Sequence, residues 1–202
     1  TGANGGKPRP IFVLKRGDVS SPDKEVGPGT LPFTKELSSQ FDLPADAPEG
    51  ARRVALAKWI TDNRNPLTWR VIVNRVWHCH FGRGLSDTPN DFGRMGSQPT
   101  HPELLDHLSR RFIQEKWSVK TLLRDMLLTE AFQRSSVPTA STAAKDAGND
   151  LLAHMRVRRL GGEALRDSFI ALSGRLEHRM YGPGDNAMGP PHQQVRRSVY
   201  LN

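Results

Sequence analysis

The run from Asn65 to Gly93, NPLTWRVIVNRVWHCHFGRGLSDTPNDFG, constrains this chain more than any other, because it marks both ends of a helix and then opens into a loop. Asn65 followed by Pro66 is a helix start: an Asn side chain caps free amides, and proline suits the first turn because its missing donor costs nothing there. Trp69, Ile72, Val73, Val76, Trp77 and His80 or Phe81 form an apolar stripe, and Gly82 supplies the stop. The spacing predicts a helix to about Phe81. Gly82 to Pro99 is too long for a mere connector, and Leu85, Phe92 and Met95 predict that it packs down.

Helical signals surround this run. Before it, Val54, Leu56, Ala57, Trp59 and Ile60 recur at near-helical spacing. After it, Thr100 to Glu103 reads as a capping box opening a helix whose apolar face is Leu104, Leu105, Leu108, Phe112 and Ile113. Trp117-Ser118 is a short turn, with Ser118 capping a further helix along Val119, Leu122, Leu123, Met126, Leu127 and Ala131. So short a connection makes the two helices antiparallel neighbours or nearly so. Leu160, Leu165, Phe169, Leu172 and Leu176 mark one more helix, ending near Ser173-Gly174.

The ends of the chain differ from its middle. Residues 1–50 are rich in Pro and Gly and hold one clear strand, Ile11-Phe12-Val13-Leu14, ended by Arg16-Gly17-Asp18. That tripeptide suits a turn better than adhesion. At the other end, Val195 to Leu201 is strand-like after a Gly/Pro loop from Tyr181 to Pro191. The expected fold is mainly α, a helical domain with a short β element pairing the N-terminal and C-terminal strands. Its parts are an extended segment over 1–50, a helical core over 51–136, a flexible loop over 137–150, and a helix plus terminal strand over 151–202 in the same domain. At 202 residues the chain is long enough to bury a real core. It starts at Thr1 without a methionine and stops in a β-favouring run, and so reads as a piece of a longer protein.

Charge and composition exclude more than they assign. The net charge is +8, but arginines alternate with acids, as in Glu163, Arg166, Asp167 and Arg175, which argues against a nucleic-acid surface. Cys79 is the only cysteine, so there is no intrachain disulfide and no cysteine zinc cage. Beside the apolar face of its helix it is expected to be a buried, inert thiol. No apolar run approaches the roughly 20 residues that span a bilayer. There is no Gly-x-Ser-x-Gly elbow, P-loop, dinucleotide fingerprint or Cys-x-x-Cys-His haem motif. His78 and His80, two apart on a helix, diverge by about 200°. No metal site is expected, although His78, His101 and Glu103 are the residues that helices could bring together.

The helix over 66–81 carries a second stripe, Arg70, Asn74 and His78 at i,i+4 steps, with Arg75 beside it. Together with Asp87, Asn90, Asp91 and Arg94 from the loop, this polar cluster has two readings. In one, carboxylates and a histidine do acid–base work or bind a polar ligand such as a sugar. In the other, Arg70, Asn74 and Arg75 bond loop carbonyls and pair with Asp87 or Asp91, pinning an irregular loop whose buried backbone needs partners. Arginine's multi-donor fork suits the second task.

Several motifs carry a family likeness. Asn65-Pro66-Leu67-Thr68, Val73-Asn74-Arg75-Val76-Trp77, Phe81-Gly82-Arg83-Gly84-Leu85, Thr88-Pro89-Asn90-Asp91-Phe92-Gly93 and Pro99-Thr100-His101-Pro102-Glu103 closely resemble the planctomycete cytochrome-C-associated domain of unknown function numbered fifteen fifty-three. The likeness extends to Trp117-Ser118-Val119-Lys120, Ser173-Gly174-Arg175-Leu176 and Arg196-Arg197-Ser198-Val199-Tyr200, and to Leu14-Lys15-Arg16-Gly17-Asp18 near the start. The resemblance implies the C-terminal part of a large exported bacterial protein, in the cell envelope or secreted, that packs on an upstream partner domain. It implies no cofactor in this chain, with haem only on a separate upstream cytochrome c-like domain. Upstream domains of the same polypeptide, and polysaccharide, are the partners it suggests. It brings no established catalytic residues. Two functional expectations follow: a structural interaction domain, or a carbohydrate-related enzyme or ligand site between the 65–81 helix and the 82–99 loop.

Overall fold

Asn65 does what its position before a proline predicts. In the computed structural model, which describes residues 9–32, 34–44, 47–190 and 194–201, its side-chain oxygen accepts the amides of Leu67 and Thr68 at 3.1 and 3.3 Å. It thereby caps helix α2, Pro66–Phe81. The same corner ties α2 to the preceding helix, α1 (Glu49–Ile60). Thr68 Oγ1 donates to the Ile60 carbonyl at 2.7 Å and Trp69 Nε1 to that of Asp62 at 3.1 Å. Contacts divide the chain into two compact units, 1–155 and 156–202.

In the first unit the core is built on one face of α2. Trp69, Val73, Trp77 and Phe81 are buried together with Leu85, with Leu105, Leu108 and Phe112 of α3 (Pro102–Gln114), and with Leu122 and Met126 of α4 (Val119–Leu127). Burying each large side chain of this kind stabilises by roughly 1.5–3 kcal/mol. Phe81 stacks on Trp77 and meets Phe132 edge-on, the latter from α5 (Glu130–Gln133). Ser118 caps α4 as expected, but the helix breaks at Leu128, and Thr129 caps α5 as a separate turn. The α3–α4 turn puts Lys116 and Trp117 at φ 53° and 62°, a left-handed conformation that costs a residue with a Cβ. Stacking of the Trp117 ring on Trp69, 5.2 Å between centroids, offsets that cost.

Several expectations give way to local physics. Thr100 does not cap α3; it bonds the Leu85 carbonyl through its amide at 2.9 Å, and His101 takes the N-cap position. The 137–150 stretch holds a short helix, α6 (Ala140–Lys145), started by a reciprocal Thr139–Thr142 capping box. Cys79 is exposed rather than buried, because it sits two residues from both Trp77 and Phe81 and so points away from their face. Met95 is also exposed, whereas Leu85 is buried and Phe92 packs against the core.

The fold is mainly α with a short β element, but the pairing is local. Strand β1 (Ile11–Leu14) pairs antiparallel with β2 (Pro22–Val26), matching Ile11 to Val26, Phe12 to Glu25 and Leu14 to Pro22. The expected pairing of β1 with the C-terminal run is therefore corrected. The turn around Arg16, Gly17 and Asp18 brings the chain straight back, with Asp18 accepting from the Ser20 amide at 2.9 Å. A short loop costs far less closure entropy than joining the two ends of the chain.

In the second unit, helix α7 (Gly162–Leu172) is followed by an irregular segment. The Val195–Leu201 run makes isolated bridges, Arg196 with Glu177 and Leu201 with Asp185, around a 3-10 turn at Ser198–Tyr200. No apolar side chain is buried among the described residues of this unit; the buried ones are Arg196 and Ser198. Pro191 and Asn202, assigned from sequence to the loop and the terminal run, lie outside the described residues, as do the first eight residues of the N-terminal segment. No helix among the described residues is long and apolar enough to cross a membrane.

Candidate functional site

Gly82 ends α2 in the left-handed conformation, φ 82°, and its amide returns to the His78 carbonyl at 2.9 Å. The chain reverses there, so the loop folds back along the polar stripe of the helix. Asn74, wholly buried, meets it as a strand would. Its Nδ2 donates to the Ser86 carbonyl and its Oδ1 accepts the Ser86 amide, both at 2.9 Å. Gly84 makes this approach feasible: a Cβ there would collide with the Ser86 carbonyl and lie 2.8 and 2.9 Å from the two polar atoms of the Asn74 amide.

Hydroxyl groups finish the loop. Ser97 Oγ accepts the amides of Asp87 and Thr88 at 2.8 and 3.2 Å, Ser86 Oγ donates to the Ser97 carbonyl at 3.1 Å, and Thr88 Oγ1 donates to the Asp91 carbonyl at 2.8 Å. Ser86, Thr88 and Ser97 stand outside the polar cluster expected from the sequence. Their signal was the ordinary one, that Ser and Thr in loops bond nearby backbone.

The other candidate residues go separate ways. Arg70 turns from the loop to α3, where its Nε donates to Asp106 at 2.6 Å and its Nη1 to the Pro66 carbonyl at 2.8 Å. Arg75, exposed, bonds Asn90 Oδ1 at 2.9 Å. Asp87 pairs with Arg83 at 3.1 Å, and Arg83 reaches on to Asp150 at 2.5 Å. Asp91 Oδ1 accepts the Gly93 amide at 2.8 Å, a turn within the loop itself. Arg94 is exposed and joins none of these bonds. His78 is half-buried, and its Nδ1 is buried with no hydrogen-bond partner among the described residues.

Arg70 opens on a cavity of about 210 Å³ lined also by Arg64, Asn65, Trp69, Asp106 and Arg110; neither His78 nor Asp91 lines it. The Arg70 guanidinium holds the Asp106 carboxyl below its ordinary value of 3.8, against the opposing effect of burial. A depressed carboxyl stabilises the fold at pH above its unfolded value, and that stabilisation is lost as pH falls through the folded value. Arg70→Ala is expected to return the Asp106 titration, followed by carboxylate NMR, to the ordinary range with α2 and α3 intact. An unmoved midpoint would contradict the pairing. Among the described residues no group of three or more His, Cys, Asp or Glu side chains is placed to hold a metal ion, His78, His101 and Glu103 included.

A family model described as PSD1, protein of unknown function (DUF1553), matches residues 52–202. No curated protein and no solved structure matches the chain.

Proposed function

We propose that this chain, which belongs to the PSD1 family of proteins of unknown function (DUF1553), is a non-catalytic interaction domain that packs on an upstream domain of the same polypeptide. One observation carries this reading. Six of the eight residues that looked like a reactive cluster are taken up in separate structural bonds, Asn74 on Ser86, Arg75 on Asn90, Arg70 on Asp106, Asp87 on Arg83 and Asp91 on Gly93, with His78 and Arg94 outside them. Reacting groups must converge on one atom, and these diverge. The apolar stripe left open on α7, with Leu165, Phe169 and Leu172 at 44, 63 and 86% exposure, supports the reading, since contiguous apolar surface on soluble proteins marks contact sites.

In the full-length protein the amides of α7 are expected to exchange at least tenfold more slowly than in this chain alone. Equal rates in the two would overturn the packing. The setting we propose is an exported one, at the cell envelope or secreted; recovery of the native protein in the cytoplasmic fraction of its cells would count against it.

One observation favours a second reading, a carbohydrate site between α2 and the 82–99 loop. His78 Nδ1 is buried without a partner one turn beyond Asn74. A polar ligand would supply that partner. Titrating soluble polysaccharide fragments against the labelled protein separates the two: shifts at His78 that saturate support a site, and unchanged spectra leave the interaction domain.

A further inference from the structure

Hairpins of two strands are marginal on their own in water, and an open strand edge invites another strand. Here the two edges differ. β2 carries Pro22, Asp23, Lys24 and Glu25, the residue types that keep an edge from pairing. β1 has no charge and no proline, and Ile11 and Val13 are more than half exposed. Among the described residues β2 is the sole strand paired with it. Positive charge brackets this open row, with Arg9 two residues before it and Lys15 and Arg16 directly after it. At the Arg9 end of the hairpin lies a groove of about 470 Å³, lined from both strands by Arg9, Ile11, Glu25 and Val26 and also by Arg52.

We propose that the open edge of β1 takes up an extended apolar segment flanked at both ends by acidic residues, added as a third strand through main-chain hydrogen bonds. This rests on reading the chain as an interaction domain, and it names the partner's chemistry. A second copy of the chain does not fit. The antiparallel register that matches all four apolar residues sets Ile11 against Leu14 and Phe12 against Val13, and it then brings Arg9 of each copy to the end where Lys15 and Arg16 of the other begin the turn. Parallel, in-register copies would set each cation beside its own equivalent. Like charges facing across a ladder destabilise it, whereas acidic flanks turn both ends into attractive pairs. Backbone bonds supply the attachment and the flanking charges the selection.

The test uses this chain and synthetic peptides, read by fluorescence anisotropy. The first peptide has four alternating valines and isoleucines between paired glutamates; the second has lysines in place of the glutamates. The glutamate-flanked peptide is expected to bind at least tenfold more tightly, and the Arg9→Glu, Arg16→Glu double variant to reverse the order. Methylating the peptide's backbone nitrogens at alternate residues abolishes binding in one phase and spares it in the other, since a strand offers only alternate amides to its neighbour. Equal binding of both peptides, no binding of either at millimolar concentration, or indifference to methylation in both phases overturns the inference. Circular dichroism establishes that the double variant is folded. Exchange at α7 in the full-length protein is read separately. Slowed exchange there with no peptide binding removes strand addition and leaves the packing on an upstream domain, while peptide binding without slowed exchange keeps strand addition and removes that packing.

Discussion

Asn74→Ala is expected to destabilise the first unit by about 3 kcal/mol and to free the 82–99 loop, because it strips both partners from the buried Ser86 peptide groups. Leaving a buried donor or acceptor unmade costs about 1–3 kcal/mol each, and here one of each is left. The substitution also removes a fully buried side chain between α2 and the loop. Asn74→Asp tests the same contact differently. The carboxylate still accepts the Ser86 amide, but it faces the Ser86 carbonyl with no hydrogen to offer and buries a charge. It should cost at least as much at neutral pH and less in acid, where a protonated carboxyl can donate again. Gly84→Ala is expected to unseat the contact from the other side, since its Cβ has no room beside the Ser86 carbonyl. Urea unfolding with the slope unchanged gives these differences from the midpoints. A loss below about 1 kcal/mol for Asn74→Ala would show that the amide is not the pin.

The second large effect is expected in the other unit. Arg196 is 1% exposed, and its guanidinium fills the place that apolar side chains fill elsewhere. Nη1 donates to the Pro183 carbonyl at 3.0 Å and pairs with Asp185 at 3.4 Å, Nη2 donates to the Tyr181 carbonyl at 2.8 Å, and the plane lies over the Tyr200 ring. Arg196→Met keeps the length and removes all of these bonds. It leaves the Asp185 carboxyl with only the exposed Arg179 at 3.8 Å, and since breaking a buried pair by removing one member costs about 3–5 kcal/mol, the loss should fall near the lower end of that range. Amide exchange at Glu177, Asp185 and Tyr200, whose N–H groups close the segment on itself, should quicken by about a hundredfold, while the amides of α2 stay protected. Arg196→Lys should not rescue it, because one ammonium cannot reach both carbonyls and cover the ring. Unchanged exchange in Arg196→Met would remove this role.

What could be read from the sequence was what depends on neighbours in the chain. Asn65, Pro66 and Gly82 act within one turn of themselves, and the Trp69 to Phe81 stripe needs only helical geometry, so α2 emerges with both ends correct. The same is true of Ser118 and of the Arg16–Gly17–Asp18 turn. Contacts between distant residues were hidden. Nothing near Arg70 announces Asp106, thirty-six positions on, and nothing near Arg83 announces Asp150. The stripe Arg70, Asn74, His78 was correctly placed on one helix, yet its members serve different neighbours once α3 and the loop arrive. β2 was missed because proline and three charges disguise a strand that is exposed along its length. Val199 to Leu201 has the composition of a strand, but bonds from the side chains around it prevail over local preference. Ser198 is held through its amide and hydroxyl by Asp167 at 2.7 and 2.6 Å, and Arg166 donates to the Arg196 carbonyl at 3.1 Å.

A core made of a guanidinium among carbonyls also behaves differently on heating. The heat capacity of unfolding comes from apolar surface newly exposed to water, and polar surface opposes it. The unit built on Trp77 and Phe81 must therefore unfold with a strongly curved dependence of stability on temperature. The segment around Arg196 has less such surface to release, Val195 and Tyr200 being only partly buried, so its opening free energy should curve less with temperature. Cooling, which weakens the hydrocarbon core, should leave the guanidinium-held segment as the less affected part of the molecule.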